Sequence, residues 1–320
     1  MDCVFSIVIP TYNRVDELRL NLQHLCPQAI WDKMEVVVCD NASTDSTSEM
    51  VRELQREYPI RYFRQESNVG PDRNFLSAYR IAKGDYVMLL GDDDIMLPGA
   101  VQSILECLDC NPDILYLNTC GMKQGNSLDQ LNPPVMAPQG VLEYSSREEF
   151  IKKVGIYITF LSGMVLRRGL VLQISNPEQY IGTYFIQSYI AFAVIKNSSR
   201  CVINTFVCVA ATQNIVLNYD LYFVWGKQYK ALIYDGGLSA GLSQDTLNEV
   251  YYNSLKTSIL YDIYFFRYTC PNSDKWDQAD MLECINQYPD LQWRFKLAMN
   301  VPRLILPILR RLHFLVNLWI

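Results

Sequence analysis

Residues 89–98 read LLGDDDIMLP, so Asp92, Asp93 and Asp94 stand side by side between an apolar run and a proline. Adjacent carboxylates repel one another, and the arrangement is unfavourable unless a cation offsets it. Carboxylates at a strand end suit a hard divalent ion, Mg2+ or Mn2+, which takes oxygen ligands and commonly bridges to substrate phosphates. A calcium loop counted from Asp92 fails, because the sixth position is not glycine and the twelfth is not glutamate. A solvated acidic turn capping the next helix would use the same residues.

Two further clusters carry polar chemistry. DNASTD (40–45) places Asp40 where a carboxylate can accept a hydrogen bond from a base or ribose. Asn41, Ser43 and Asp45 equally suit a turn and a helix cap. In NVGPDRN (68–74), Asn68 and Gly70 suit a turn, and Arg73 and Asn74 fall in a first helical turn, where a cation and an amide can face a diphosphate. A plain exposed helix start has the same composition.

These clusters need a frame that brings them together. FSIVIP (5–10), EVVVCD (35–40), IRYFRQ (60–65), DYVMLL (85–90) and ILYLN (114–118) have the composition of strands. Between them, Leu18, Leu22 and Leu25 recur at helical spacing, and Ser46 and Glu49 form a capping box. Residues 71–84 predict a helix with Pro71 in its first turn and Gly84 at its end. PGAVQSILECL opens another. The alternation, with strands apolar on both faces, predicts an α/β fold with a mostly parallel sheet and helices on both faces. In such sheets ligands bind beyond the carboxyl ends of the strands. TYNR (11–14), DNASTD and GDDD all fall there, so three polar clusters converge on one rim.

The second half is less explicit. GMKQGNSLDQLNPPVMAPQG (121–140) predicts a long loop or join. SSREEFIKKVG begins a helix, ITFLSGMVLRRGL is strand-like, YFIQSYIAFAVIK is helical and CVINTFVCVAAT is a strand. From about residue 220 the pattern is helical and rich in Tyr and Phe. The boundaries expected are 1–215 for the α/β domain and 216–320 for a helical C-terminal region.

The chain has 320 residues, half of them hydrophobic and 12% aromatic, which argues against disorder. A net charge of −6 gives no sign of a nucleic-acid partner. The start shows no signal-peptide pattern and the ten cysteines are irregularly spaced, so reduced cytosolic thiols are expected. Cys107 and Cys110 form a C-x-x-C without a second pair, which leaves two helix thiols as the simpler reading over a zinc or redox site. No stretch reaches the roughly 18 apolar residues of a membrane span. The tail WRFKLAMNVPRLILPILRRLHFLVNLWI (293–320) interleaves Arg303, Arg310 and Arg311 with apolar residues. That pattern suits a segment lying on anionic lipid, and equally a helix pair packed on the domain.

IVIPTYNR, VVVCDNASTDST, NVGPDRNF and GDYVMLLGDDD, in this order and spacing, resemble the nucleotide-sugar-binding half of family 2 glycosyltransferases, which have the Rossmann-like GT-A fold. The match covers roughly the first 110 residues. NVGPDRNFL and YIGTYF (180–185) are also similar to segments of O-antigen dideoxyhexose transferases of the abequosyltransferase type. The resemblance implies that residues 1–118 bind the donor and 141–215 the acceptor. Pro10, Thr11, Tyr12, Asn13 and Arg14 would line the nucleotide pocket. Asp40 would contact the base with Asn41 beside it, and Asp45 would support the loop. Asn68, Gly70, Arg73 and Asn74 would lie near the diphosphate. Asp92, Asp93 and Asp94 would be the DxD-type motif for Mg2+ or Mn2+. A CDP-dideoxyhexose donor, a polyprenyl-diphosphate-linked oligosaccharide acceptor, inversion at the anomeric carbon and a cytoplasmic protein peripheral on the inner face of the membrane are implied too.

The sequence departs from that pattern twice. Gly91 stands where the motif commonly begins with aspartate, which places the metal mainly on Asp93, helped by Asp92 or Asp94. The later helix that often carries an acidic pair is YIGTYFIQSYIAF here, without Asp, Glu or His. Gln187 occupies the expected position, and an amide can orient a hydroxyl but not deprotonate it. Asp94, or a donor phosphate oxygen, would then take the proton. The missing base also motivates a non-catalytic nucleotide-sugar or glycan binder. Nucleotidyl transfer fits less well, since TYNR lacks the glycines of a phosphate loop. YIGTYF and the Tyr-rich segment 219–234 are expected to shape the acceptor side or to be core.

Overall fold

FSIVIPT forms the central strand β1 (Phe5–Thr11), buried along its whole length. Its β-branched and aromatic residues suit a strand covered on both faces. β2 (Met34–Asp40), β3 (Arg61–Arg64) and β4 (Tyr86–Leu89) join it in the order β3-β2-β1-β4, all parallel. The crossovers are α1 (Val15–Leu25), α2 (Thr47–Leu54) and α3 (Pro71–Ile81). Leu18, Leu22 and Leu25 bury the inner face of α1 in the core cluster that also holds residues of β1 and β2, as their spacing requires. The structure is a computed structural model and describes residues 3–123, 128, 131–213, 219–270 and 276–300.

The sheet continues through β5 (Ile95–Met96), β6 (Ile114–Lys123), β7 (Leu131–Pro134), β8 (Val141–Tyr144), β9 (Met164–Arg167) and β10 (Cys201–Gln213). Its order is β3-β2-β1-β4-β9-β6-β10-β5, with β7 on β6 and β8 on β10. β9 lies antiparallel between β4 and β6, and β10 is parallel to β6. The long strands therefore share one direction and their carboxyl ends share one rim. α4 (Ala100–Leu108), α5 (Arg147–Val154), α6 (Arg168–Leu172) and α7 (Ile186–Lys196) complete this part.

Several local expectations are corrected. α3 ends at Ile81, short of Gly84. A Cβ on Gly84 would lie 2.8 Å from the β1 backbone at Phe5 and Ser6, so this glycine serves close packing, not a helix stop. Ser46 makes no side-chain cap on α2. Asp45 takes that role, with Oδ1 accepting from Thr47 N at 3.1 Å and from Thr47 Oγ1 at 2.6 Å. The loop predicted over 121–140 includes the end of β6 and the edge strand β7, where Pro133 and Pro134 are tolerated because an edge leaves one side unpaired. ITFLSGMVLRRGL supplies only β9, preceded by a tight turn at Leu161–Gly163 and followed by α6. β5 is two residues long, too short for any periodicity to reveal.

The chain forms two compact units, one of residues 1–213 with 239–241 and one of 214–238 with 242–320. In the second, helices Gln244–Ser254, Leu260–Thr269, Gln278–Cys284 and Pro289–Asn300 surround buried aromatics. Tyr222, Tyr229 and Tyr251 are fully buried, which makes them core residues of this unit and not a sugar-binding surface. Among the described residues no helix is long and apolar enough to cross a membrane. Residues 301–320, with the arginines of the tail, lie outside the described residues.

Candidate active site

Thr11 and Asp40 end β1 and β2 in register with one another, and the aspartate turn follows β4. Thr11 Oγ1 donates to Asp92 Oδ2 at 2.8 Å. Arg14, at the start of α1, donates from Nη2 to Asp93 Oδ2 at 2.8 Å, and its Nε lies 3.3 Å from Asp92 Oδ1. Burial opposes the charge on Arg14, but Asp92 and Asp93 outweigh that and hold its pKa up. Burial pushes the Asp92 carboxyl up to about 7 despite the arginine and Thr11. The clustered aspartates are thus partly answered from inside the chain, by the arginine of TYNR.

Asp94 points the other way. Its Oδ2 accepts from Ser162 Oγ at 2.5 Å and its Oδ1 from Thr212 N at 3.0 Å. Burial, then the charge of Asp93, pushes it up to about 7. Ser162 Oγ also accepts from Gly91 N at 2.8 Å, Thr212 Oγ1 donates to Asp93 O at 2.5 Å, and Asn21 Nδ2 donates to Gly91 O at 2.9 Å and Asp94 O at 2.6 Å. These bonds lock the turn. They also give a reason for the glycine that replaces the expected aspartate: a Cβ on Gly91 would lie 2.8 Å from Asp94 Oδ2. Both oxygens of Asp94 are engaged inward, which corrects its assignment as metal ligand or proton acceptor.

Among the described residues no three acidic, cysteine or histidine side chains converge on one point. Asp92 and Asp93 do face the rim together, with one guanidinium between them. Two carboxylates completed by substrate phosphates are a common way to hold Mg2+, and such an ion would offset the burial that raises the pKa of Asp92. The pair fits a divalent ion; the trio does not.

The other loops of the rim are tied to one another. Asp40 is fully buried, accepting from Tyr62 OH at 2.6 Å and Ser43 N at 2.8 Å, with Arg64 Nε at 3.3 Å. Its carboxylate thereby holds the 40–45 turn. Asn41 accepts from Val69 N and donates to Asn68 Oδ1, both at 2.9 Å, and Gly70 N donates to Asn68 Oδ1 at 2.9 Å. Gly70 takes φ +83°, which a turn glycine permits. Asn13, also at positive φ, accepts from Thr44 N at 2.6 Å. Asp45 Oδ2 accepts from Val15 N at 3.1 Å. Tyr12 is exposed above this network.

Two predicted residues fall elsewhere. Pro10 is buried inside β1 and presents nothing to the rim. Asn74 is buried, donates to Cys39 O at 2.9 Å and accepts from Gln65 at 3.3 Å, so it fastens α3 to β2. Arg73 is exposed on the first turn of α3 and makes no close ion pair among the described residues. Gln187, on α7, donates to Thr159 O at 2.9 Å, which leaves its Oε1 buried without a hydrogen-bond partner. Gly182 N donates to Asp72 Oδ2 at 2.6 Å, so YIGTYF lies against the first turn of α3. Within it Tyr184 is half exposed at φ +65°, an unusual backbone for a bulky residue.

The sequence reading passed over Asn21, Tyr62, Arg64, Ser162 and Thr212. Tyr62 and Arg64 share a face at the end of a short strand, a detectable signal. Ser162 and Thr212 reach Asp94 across 68 and 118 residues, and no spacing in the chain shows that.

Residues 6–172 match the Glycosyl transferase family 2 domain. Abequosyltransferase RfbV of Salmonella typhimurium is 30% identical over 63% of this chain and 63% of its own length. The GalNAc(5)-diNAcBac-PP-undecaprenol beta-1,3-glucosyltransferase of Campylobacter jejuni is 31% identical over 38% of this chain and 40% of its own. The chain therefore spans less than two thirds of each of these curated relatives. TarS 1–349 of S. aureus, solved in complex with UDP-GlcNAc, superposes with a TM-score of 0.62 at 19% identity, over 91% of this chain and 81% of that one. At that identity the likeness concerns the fold, and it agrees with the GT-A architecture expected from the motifs.

Proposed function

The chain belongs to glycosyl transferase family 2, and from that premise we propose that it moves a sugar from a nucleoside-diphosphate donor to a hydroxyl of a glycan acceptor. The observation that carries this reading is the rim cluster of Thr11, Arg14, Asp92 and Asp93, set beside the 40–45 and 68–70 turns. Arg14 orients both carboxylates. Asp93 and Asp92 would hold Mg2+ or Mn2+, which when bound neutralises the growing charge on the departing diphosphate. Arg73 lies free to meet the same phosphates.

Gln187 supports an acceptor role on the other side. Its Nε2 is committed to Thr159, so Oε1 is the free end and can accept a hydrogen bond from an incoming hydroxyl. In the transfer the hydroxyl oxygen forms a bond to the anomeric carbon as the bond to the diphosphate oxygen breaks. The nucleoside diphosphate leaves as the anion, and the hydroxyl proton is released to bulk water, because Asp94 is enclosed and the donor phosphates lie on the face opposite the attacking hydroxyl. Inversion at the anomeric carbon follows from attack on the face opposite the leaving group.

The likeness to an abequosyltransferase supports a deoxysugar donor such as a CDP-dideoxyhexose, and a place in O-antigen or surface polysaccharide synthesis. The undecaprenol-diphosphate acceptor in the name of the Campylobacter relative supports a lipid-linked acceptor. Such an acceptor would be met at the inner face of the membrane, where the arginine-bearing tail would lie on anionic lipid. A binder without turnover is the second reading, favoured by the amide at position 187. Calorimetry with UDP, CDP, GDP and dTDP, with and without Mn2+, tests the donor site. One nucleotide should bind in a metal-dependent way. If none binds, the donor reading fails. Tight binding without transfer to any lipid-linked glycan would leave the second reading standing.

A further inference from the structure

Gln187 is the second residue of α7, and the segment before that helix decides where it stands. Residues 173–185 join α6 to α7 through one short turn, Pro177–Tyr180. Asn176, Gly182 and Tyr184 take φ of +53°, +86° and +65°. Asparagine and glycine adopt that region readily. For tyrosine it is unfavourable and persists only where neighbours enforce it.

Two of the contacts that hold this segment come from α3. Asp72 Oδ2 accepts from Gly182 N at 2.6 Å, and Arg80 pairs with Glu178. Within the segment, Thr183 Oγ1 donates to Tyr180 O at 2.7 Å and accepts from Phe185 N at 3.4 Å. The Tyr180 ring stacks on Tyr189 of α7 with centroids 4.4 Å apart. The two ties to α3 differ in weight. Arg80 and Glu178 are exposed, so their pair is weak. The Asp72 bond is short and charge-assisted, and it fixes the backbone itself two residues before Tyr184. An acid in the first turn of a helix is ordinary, and Asp72 favours the N-terminus of α3 wherever its carboxylate points. A bond to backbone 110 residues away goes beyond that role.

Gln187 is thereby held from two directions. On one side its Nε2 donates to Thr159 O, three residues before Ser162, whose hydroxyl meets Asp94 and Gly91. Three residues span at most about 11 Å, so the anchor of the amide stays close to the aspartate turn. On the other side Gly182, five residues before Gln187, is fixed to Asp72, which follows Gly70 by two residues. Gly70 belongs to the turn that Asn68 and Asn41 tie to the end of β2. One carboxylate thus joins the donor-side turn to the acceptor-side helix.

We propose that Asp72 is a positioning residue for the transfer. By holding Gly182 it sets where Gln187 presents Oε1 to the attacking hydroxyl, relative to the 68–70 turn. This rests on the glycosyl-transfer reading and on the acceptor role of Gln187 given above.

Paired assays on the full chain test it. The donor is the nucleotide sugar whose nucleotide binds in calorimetry with Mn2+, and the acceptor is lipid-linked oligosaccharide extracted from bacterial membranes. Hydrolysis of the donor by water, measured without acceptor, reports the donor site alone. Asp72→Ala should lower kcat for transfer roughly tenfold to a hundredfold, as a small misplacement of a reacting group does. Donor KM and the hydrolysis rate should stay within about twofold. Asp72→Asn, whose amide oxygen still accepts from Gly182 N, should restore most of the transfer. With Gln187→Leu in place, Asp72→Ala should add less than about twofold, because both changes act through one amide. Hydrogen exchange over 181–187 should quicken in Asp72→Ala and not in Asp72→Asn. Equal transfer by Asp72→Ala and wild type, or full additivity with Gln187→Leu, would overturn the proposal alone. Parallel loss of hydrolysis and transfer would do the same, since it marks a general role in the fold. Nucleotide binding without any transfer by the wild type would instead overturn the glycosyl-transfer reading, and this proposal with it.

Discussion

Arg14 is the residue on which the site's electrostatics turn. It pairs with Asp93 at 2.8 Å and with Asp92 at 3.3 Å, and its removal leaves one buried and one partly buried carboxylate without their partner. Arg14→Ala should cost about 2–3 kcal/mol of stability, less than a fully buried pair would because the arginine is partly exposed. A denaturant titration measures this. Asp93→Ala should instead keep the fold and remove the metal dependence of nucleotide binding, with affinity falling roughly tenfold or more, as expected for a lost charged contact. Asp92 and Asp94 set the pH response. Both are raised from 3.8 to about 7, so between those values the folded chain holds more protons than the unfolded one. Stability from these groups is full below the lower value and falls as pH rises through the upper one. Melting temperature without metal should therefore drop between about pH 4 and about pH 7, and Asp94→Asn should make the drop shallower. Metal-dependent binding should move the opposite way, strengthening as Asp92 loses its proton. A pH-independent difference between wild type and Asp94→Asn would contradict this.

The elements deliver these residues through their ends. The cap of α2 is the clearest case, because Asp45 serves α2 and the start of α1 together. Asp45→Ala should destabilise by about 1 kcal/mol or somewhat more, while Ser46→Ala should lie within error. The reverse ranking in urea melts would restore the capping box that the sequence suggests. The aspartate turn is held by distant elements. Ser162→Ala leaves Gly91 N and Asp94 Oδ2 short of a partner and should cost about 1–3 kcal/mol. Much of this level was legible beforehand. β1, β2, β4, β6 and β10 follow from composition, because burial on both faces demands continuous apolar runs, and the buried leucines of α1 follow from their period. β5, β7 and the shortened β9 were not legible. They are short, and partners far along the chain decide them.

At the scale of the whole molecule, one strand direction places the ends of β1, β2 and β4 on a common rim. Deleting residues 301–320 removes Arg303, Arg310 and Arg311 and should weaken co-sedimentation with anionic phospholipid vesicles on the order of a hundredfold, at about 1 kcal/mol for each arginine. Unchanged sedimentation would discard the membrane-surface role. The amino-acid sequence by itself determined the α/β alternation, the polar turns at strand ends and the family, because each is written in spacing over fewer than about 15 residues. Tertiary structure alone decided how three neighbouring aspartates divide their work. Asp92 and Asp93 turn to Arg14, while Asp94 turns inward to Ser162 and Thr212. It likewise withdrew Pro10 and Asn74 from the rim and buried Tyr222, Tyr229 and Tyr251 in the second unit. Neighbours in sequence share a position but not an environment, and the direction of a side chain depends on partners that the fold brings from 68 and 118 residues away.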